Sequence, residues 1–222
     1  MANPTVADYL KFANLQMAAE AFLFDESTNK VKTGQQLTDA LKIGNNHASK
    51  FTDIQAKDFT DHWIVVDQRI NTGTGFSGTL FQCIQDDPVT GAKAGELTIS
   101  FRSTEFVDDA VRDNLATNTL EIFKTGWAWG QISDMEKWFA DLQPTLAGQH
   151  FSVTGYSLGG HLATTFNLLH PGRAQQIVTF NAAGVGLIDA DHTLQGVLDD
   201  FADLRDSPDQ IAAHDIYWRK AA

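Results

Sequence analysis

The chain has 222 residues, 43% apolar and 20% charged, which suits one substantial globular core. A formal net charge of −12 and a sequence pI near 4.8 leave no basic stripe to neutralise phosphates, which excludes nucleic acid as a partner. The lone cysteine, Cys83, rules out an intrachain disulfide and a cysteine-based zinc site, and neither metal nor cofactor is expected.

The N-terminus, MANPTVADYLKF, lacks a basic region followed by an apolar one. No stretch approaches the ~18 apolar residues that span a membrane. The expected location is the cytoplasm, or outside the cell by a route without an N-terminal signal peptide. The negative charge disfavours anionic lipid, while an apolar patch leaves transient lipid-surface contact open.

In chain order, Val6, Leu10, Ala13, Met17 and Phe24 recur near helical spacing and predict an amphipathic helix. "LTDALKIGNN" predicts a second, ended by Gly44 and Asn45. Residues 1–60 thus read as a helical N-terminal extension. "HWIVVDQRI", "GFSGTLFQCI" and "GELTISF" are then strands, the last two a hairpin around the turn-rich "DDPVTGAKAG". Cys83 falls in the second run as a buried, inert thiol.

From Thr104 to Leu146 the period is helical, with Ile132, Met135, Trp138, Phe139 and Leu142 on one face. A strand at 150–154, a helix at 158–169 closed by His170-Pro171-Gly172, and a strand in "QIVTFNAAG" follow. Alternation of this kind predicts an α/β fold, a mostly parallel sheet covered by helices on both faces. After Asn181 the strand signal stops. Leu194, Val197, Leu198, Phe201 and Leu204 form an amphipathic stretch, so 187–222 reads either as a lid or as an ordinary covering helix.

The chemistry centres on Ser157 in "VTGYSLGGHLA". A strand, a G-x-S-x-G turn and a helix make the setting of a nucleophile elbow, which presents a serine Oγ above the carboxyl edge of a sheet. Side chains two positions either side would collide there, so Gly155 and Gly159 answer a steric need, and Gly160 and Ala163 let the helix lie close. The N–H of Leu158, at the positive end of the helix, suits an oxyanion. A second donor should come from the loop after an earlier strand, and Thr104 in "GELTISFRSTEF" is placed for it, with a plain N-cap as its other reading.

These three segments in order, "ISFRSTE", "VTGYSLGGHLA" and "VTFNAAGVG", resemble the class 3 (fungal-type) lipase family of α/β-hydrolases over roughly residues 62–186. That family carries F-R-G-[ST], G-H-S-L-G-G-x-L-A and a strand ending in N/G-A-P-x-V-G. The resemblance implies an α/β-hydrolase fold, Ser157 as nucleophile and Thr104 as oxyanion-hole residue. Ser103, Tyr156 and Ala183 replace the usual Gly, His and Pro, which points toward a divergent, bacterial-type branch.

A serine needs a base, and in such a fold an acid and then a histidine follow it on later strands. Asp189 and Asp191 come too early. Asp206, Asp209 and Asp215 lie in a polar helical stretch with His214. Asp206 or Asp209 with His214 has the right order but no strand to position either residue. His161, His170 and His192 read as solvated or capping residues. The expectation is therefore a chain incomplete at its C-terminal end, with the acid and base on a second chain or a missing segment. The resulting reading is a serine carboxylester hydrolase of lipase or phospholipase type, acting on lipid or ester substrates. Its alternative is a non-catalytic binding module that keeps the hydrolase fold.

Overall fold

Capping chemistry fixes where the first helices begin. Thr5 accepts from the Asp8 N–H while the Asp8 carboxylate accepts from the Thr5 N–H, and this reciprocal pair starts α1 (Val6–Ala19). A two-residue hairpin, β1 (Phe24–Asp25) and β2 (Lys30–Val31), leads to α2 (Gly34–Ile43), which ends at Gly44 with φ 63°. The same box between Thr52 and Gln55 starts α3 (Asp53–His62), a helix hidden in sequence by its polar composition. These elements belong to a computed structural model that describes residues 4–45, 50–103, 126–184, 186 and 193–206.

The face expected to anchor α1 points the other way. Val6 is 85% and Leu10 43% exposed, while Phe12, Leu15, Ala18 and Ala19 are buried. Lys11 sits on that buried face, where a lysine hides the pattern from a polar-versus-apolar count. Its stem packs inward and its ammonium meets Glu96 at 2.6 Å.

The strands are β3 (Trp63–Arg69), β4 (Gly78–Cys83), β5 (Leu97–Phe101), β6 (Phe151–Tyr156) and β7 (Gln176–Phe180), in that spatial order. The sheet is mixed, within the expected α/β class, and its antiparallel part includes the expected β4–β5 hairpin. β3–β4–β5 is an antiparallel meander and β5–β6–β7 is parallel. Residues 70–77 and 84–96 join the first three strands as antiparallel hairpins, whereas β6 and β7 each follow a helical crossover. Those helices are α4 (Trp129–Leu146) before β6 and α5 (Leu158–Leu169) before β7, with α6 (Leu194–Asp206) after it.

Strand alternation feeds two cores, so helices cover both faces. Leu80, Ile99, Phe101 and Val153 pack with Ile132, Met135, Trp138 and Phe139 of α4 and with Phe166 of α5. On the opposite face Phe81 and Cys83 pack with Phe12, Leu15, Leu37 and Phe59, so α1–α3 supply half of this second core. α6 is seated on the first core, where Phe201 lies edge-on to Trp127 at 4.9 Å and to Trp129 at 5.3 Å. Residues 187–192 and 207–222 of the expected lid region lie outside the described residues. No described helix is long and apolar enough to cross a membrane.

Candidate functional site

β6 runs into α5 through a single residue, Ser157, whose φ of 52° and ψ of −117° are rarely adopted by a residue with a side chain. Such a conformation costs roughly 1–3 kcal/mol and persists only where the surroundings fix it. Here they do. The Ser157 N–H donates to Phe180 O at 3.0 Å, and its carbonyl accepts from the N–H groups of Ala183 (3.0 Å) and His161 (3.1 Å). The side chain does not cap the helix it precedes, and the residue is only half-buried.

The flanking glycines are spaces with no room for a methyl. A Cβ at Gly155 would lie 2.2 Å from Gly159 O, and one at Gly159 would lie 2.2 Å from Phe101 O. A Cβ at Gly160 would meet the Ala182 methyl at 2.7 Å. Together the three let α5 begin in contact with the ends of β5, β6 and β7. Ser157 therefore stands at the carboxyl edge of the parallel strands, with Leu158 opening the helix behind it. First-turn N–H groups such as that of Leu158 have no partner within the helix and are free to meet an anion.

"FNAAGVG" wraps this turn from the β7 side. Asn181 takes φ 44° to turn the chain, and Ala182 fills the space that Gly160 leaves. The Ala183 N–H bonds the Ser157 carbonyl, a bond that proline at this position could not make. Gly184 O meets the His161 ring.

On the β5 side the loop begins with Arg102 and Ser103. The Arg102 N–H donates to Ser77 O at 3.1 Å. The Ser103 N–H donates to the Glu20 carboxylate at 3.0 Å, and the Ser103 hydroxyl donates to its other oxygen at 2.8 Å. Both N–H groups are thus engaged, and Thr104, the expected second donor, lies outside the described residues. Glu20 was missed by sequence reasoning. Its one signal was a lone carboxylate inside the apolar run "AAEAFLF". Burial pushes its carboxyl up from the usual range, against the opposing pull of the Ser103 hydrogen bonds and the Arg102 charge.

Of the seven histidines, His62, His150, His161 and His170 are placed, and each has another setting. His161 is fully buried, which corrects the reading of it as solvated or capping. It accepts from the Ala128 N–H at Nε2 (3.2 Å) and faces Gly184 O through Nδ1 (3.0 Å), so the proton belongs on Nδ1. Desolvation lowers its pKa to about 4, against the weaker opposing effect of the Gly184 bond. His170 is the C-cap of α5, the helix-end position expected of it, and faces the buried Glu136 at 2.9 Å. A helix of 12 residues puts it about 18 Å along the axis from Ser157.

His62 and His150 adjoin the starts of β3 and β6, at the end of the sheet away from Ser157. His192, His214, Asp189, Asp191, Asp209 and Asp215 lie outside the described residues. Asp206 is the last residue of α6. Among the described residues no cluster of His, Cys, Asp and Glu could hold a metal ion.

A groove of about 970 Å³ runs beside β7 between Thr5, Tyr9, Asn167 and Thr179, and Ser157 does not line it. Neither a family model nor a curated protein matches the chain.

Proposed function

We propose that the protein is a serine carboxylester hydrolase of lipase or phospholipase type, cleaving lipid esters through an acyl-enzyme on Ser157. The observation that carries this reading is the strained Ser157 backbone, pinned by three hydrogen bonds between glycines that admit no Cβ. Strain of this kind has no packing benefit, since a glycine would adopt the same turn freely. The reading extends the five-stranded sheet to an α/β-hydrolase fold, in keeping with the lipase-like motifs.

In this mechanism Ser157 Oγ attacks the ester carbonyl carbon while a base takes its proton. The tetrahedral oxyanion is met by the Leu158 N–H and by the Thr104 N–H, the next along the loop once those of Arg102 and Ser103 are engaged. Collapse expels the alcohol, and water then releases the acid. The base is assigned to His214 with Asp206 or Asp209, or to a second chain or further segment of the fold. α6 is either a lid at a lipid surface or an ordinary covering helix, and the packing of Phe201 on Trp127 and Trp129 supports the second.

A fluorophosphonate should label the protein and fail to label Ser157→Ala. Equal labelling of the two would remove Ser157 as nucleophile. Triglyceride, phosphatidylcholine and p-nitrophenyl esters assayed side by side would separate lipase, phospholipase and esterase. One observation favours a second reading, a binding module that keeps the fold: the rings of His62, His161 and His170 meet other groups, and His150 stands at the opposite end of the sheet from Ser157. A wild-type protein inert to the phosphonate would favour that module.

A further inference from the structure

α1 is tied to β5 at both ends, and the two ties differ in kind. At the amino end of the strand, Lys11 pairs with Glu96 at 2.6 Å, an ordinary link between a helix and a sheet. At the carboxyl end the link is Glu20, the C-cap of α1, with 1% of its surface exposed.

A carboxylate in that place breaks two local preferences. Its charge has left water, and it sits at the negative end of a helix. It receives the Ser103 N–H and hydroxyl, the Gln16 amide at 2.6 Å and the Asn45 amide at 3.5 Å. Tethering alone does not need an acid here, because apolar residues on the same helix already pack on the sheet. Departures from local rules concentrate where a site has to be held.

What Glu20 holds adjoins Ser157. The Arg102 carbonyl, one residue before Ser103, would be 2.9 Å from a Cβ at Gly159, so this loop and the first turn of α5 are in contact. We propose that Glu20 is a positioning residue: by gripping Ser103 through both its N–H and its hydroxyl, it holds the Arg102–Ser103 turn against the first turn of α5, which carries Ser157 and the Leu158 N–H. This rests on the ester-hydrolase reading of Ser157. The grip uses the hydroxyl of Ser103, the residue that stands where the resembled motif has glycine.

The experiment measures kcat and KM on p-nitrophenyl butyrate, fluorophosphonate labelling, and urea unfolding. Wild type and Ser157→Ala come first. An unlabelled wild type overturns the hydrolase reading, and this inference with it. With labelling established, Glu20→Leu should lower kcat on the order of 10²-fold, the loss typical of one oxyanion donor, with KM changed less than about 3-fold.

Glu20→Gln should recover most of that rate, because an amide can accept from the Ser103 N–H and donate to its hydroxyl. Ser103→Ala, which keeps the N–H and loses the hydroxyl, should fall roughly 10-fold, about the worth of one hydrogen bond. Lys11→Met, which cuts the other tie, should lower the unfolding midpoint and leave kcat within about 2-fold.

A folded Glu20→Leu with wild-type kcat overturns the inference. So does a Lys11→Met variant that loses as much kcat as Glu20→Leu, since the acid would then act only as a tether. Should Glu20→Leu fail to fold, Ser103→Ala decides, and wild-type kcat in that variant overturns the proposal.

Discussion

Replacing Gly159 by alanine should damage stability and reactivity together. The added methyl would sit 2.2 Å from Phe101 O and 2.9 Å from Arg102 O. Ordinary contact begins near 3.4 Å, so β5 and α5 must separate by about 1 Å. Both obstacles are backbone and cannot rotate away. The loss should therefore reach the upper end of the ~1–3 kcal/mol seen for overpacking. Helix propensity returns at most about 1 kcal/mol of it.

The displaced turn carries the Leu158 N–H and Ser157, and a shift of ~1 Å in reacting groups costs on the order of 10²-fold in rate. Gly196→Ala is the control. It also lies in the first turn of a helix, but its Cβ would meet only Thr193 Oγ1 at 3.4 Å. That variant should be neutral or more stable by up to about 1 kcal/mol. Urea unfolding followed by tryptophan fluorescence, together with fluorophosphonate labelling rates, reads both effects. A Gly159→Ala protein that unfolds at the wild-type midpoint and labels at the wild-type rate would refute the close-approach argument.

Three further outcomes are expected. His161 has its pKa lowered from the ordinary 6.5 to about 4, so the unfolded chain takes up its proton first and His161's contribution, complete above pH 6.5, is lost as pH falls toward 4. Between pH 7 and 4.5 wild type should lose about 2–3 kcal/mol that His161→Gln does not lose, and equal pH slopes in urea titrations would contradict the buried neutral ring. Phe201→Ala should cost about 3–5 kcal/mol by leaving a cavity against Trp127 and Trp129, and a loss below about 1 kcal/mol would mean that α6 is not anchored there. Thr104→Pro, which removes the N–H itself, should lower kcat on the order of 10²–10³-fold while Ser157 still reacts slowly with phosphonate; a folded variant at wild-type rate would place the second donor elsewhere.

What the sequence made legible were features with a short-range cause. The strand period changed at Trp63, the glycines marked the turn at Ser157, and the α4 face followed helical spacing through Trp138 and Phe139. The failures came where tertiary partners overrode the local pattern. Lys11 gave no local sign of facing inward because its partner, Glu96, is 85 positions away. His161 looked solvated because the Ala128 and Gly184 groups that satisfy it come from other segments. The β4–β5 hairpin was legible from its turn chemistry, but the antiparallel pairing of β3 with β4 was concealed because a strand's composition does not state its direction. Glu20 was the hardest to foresee, since its meaning depends on a residue 83 positions later.

The clamp of α1 on β5 also bears on the order in which the molecule can assemble. α1 is made long before its docking surface, and contacts spanning 83 and 85 residues close only after the intervening chain has organised. Until then Glu20 is hydrated and the apolar side of α1 has nothing to cover it. Such long-range closure slows folding and leaves sticky intermediates open to association. The helix that comes first in the chain is thus among the last pieces to settle, and the loop beside Ser157 takes its shape in the same late step.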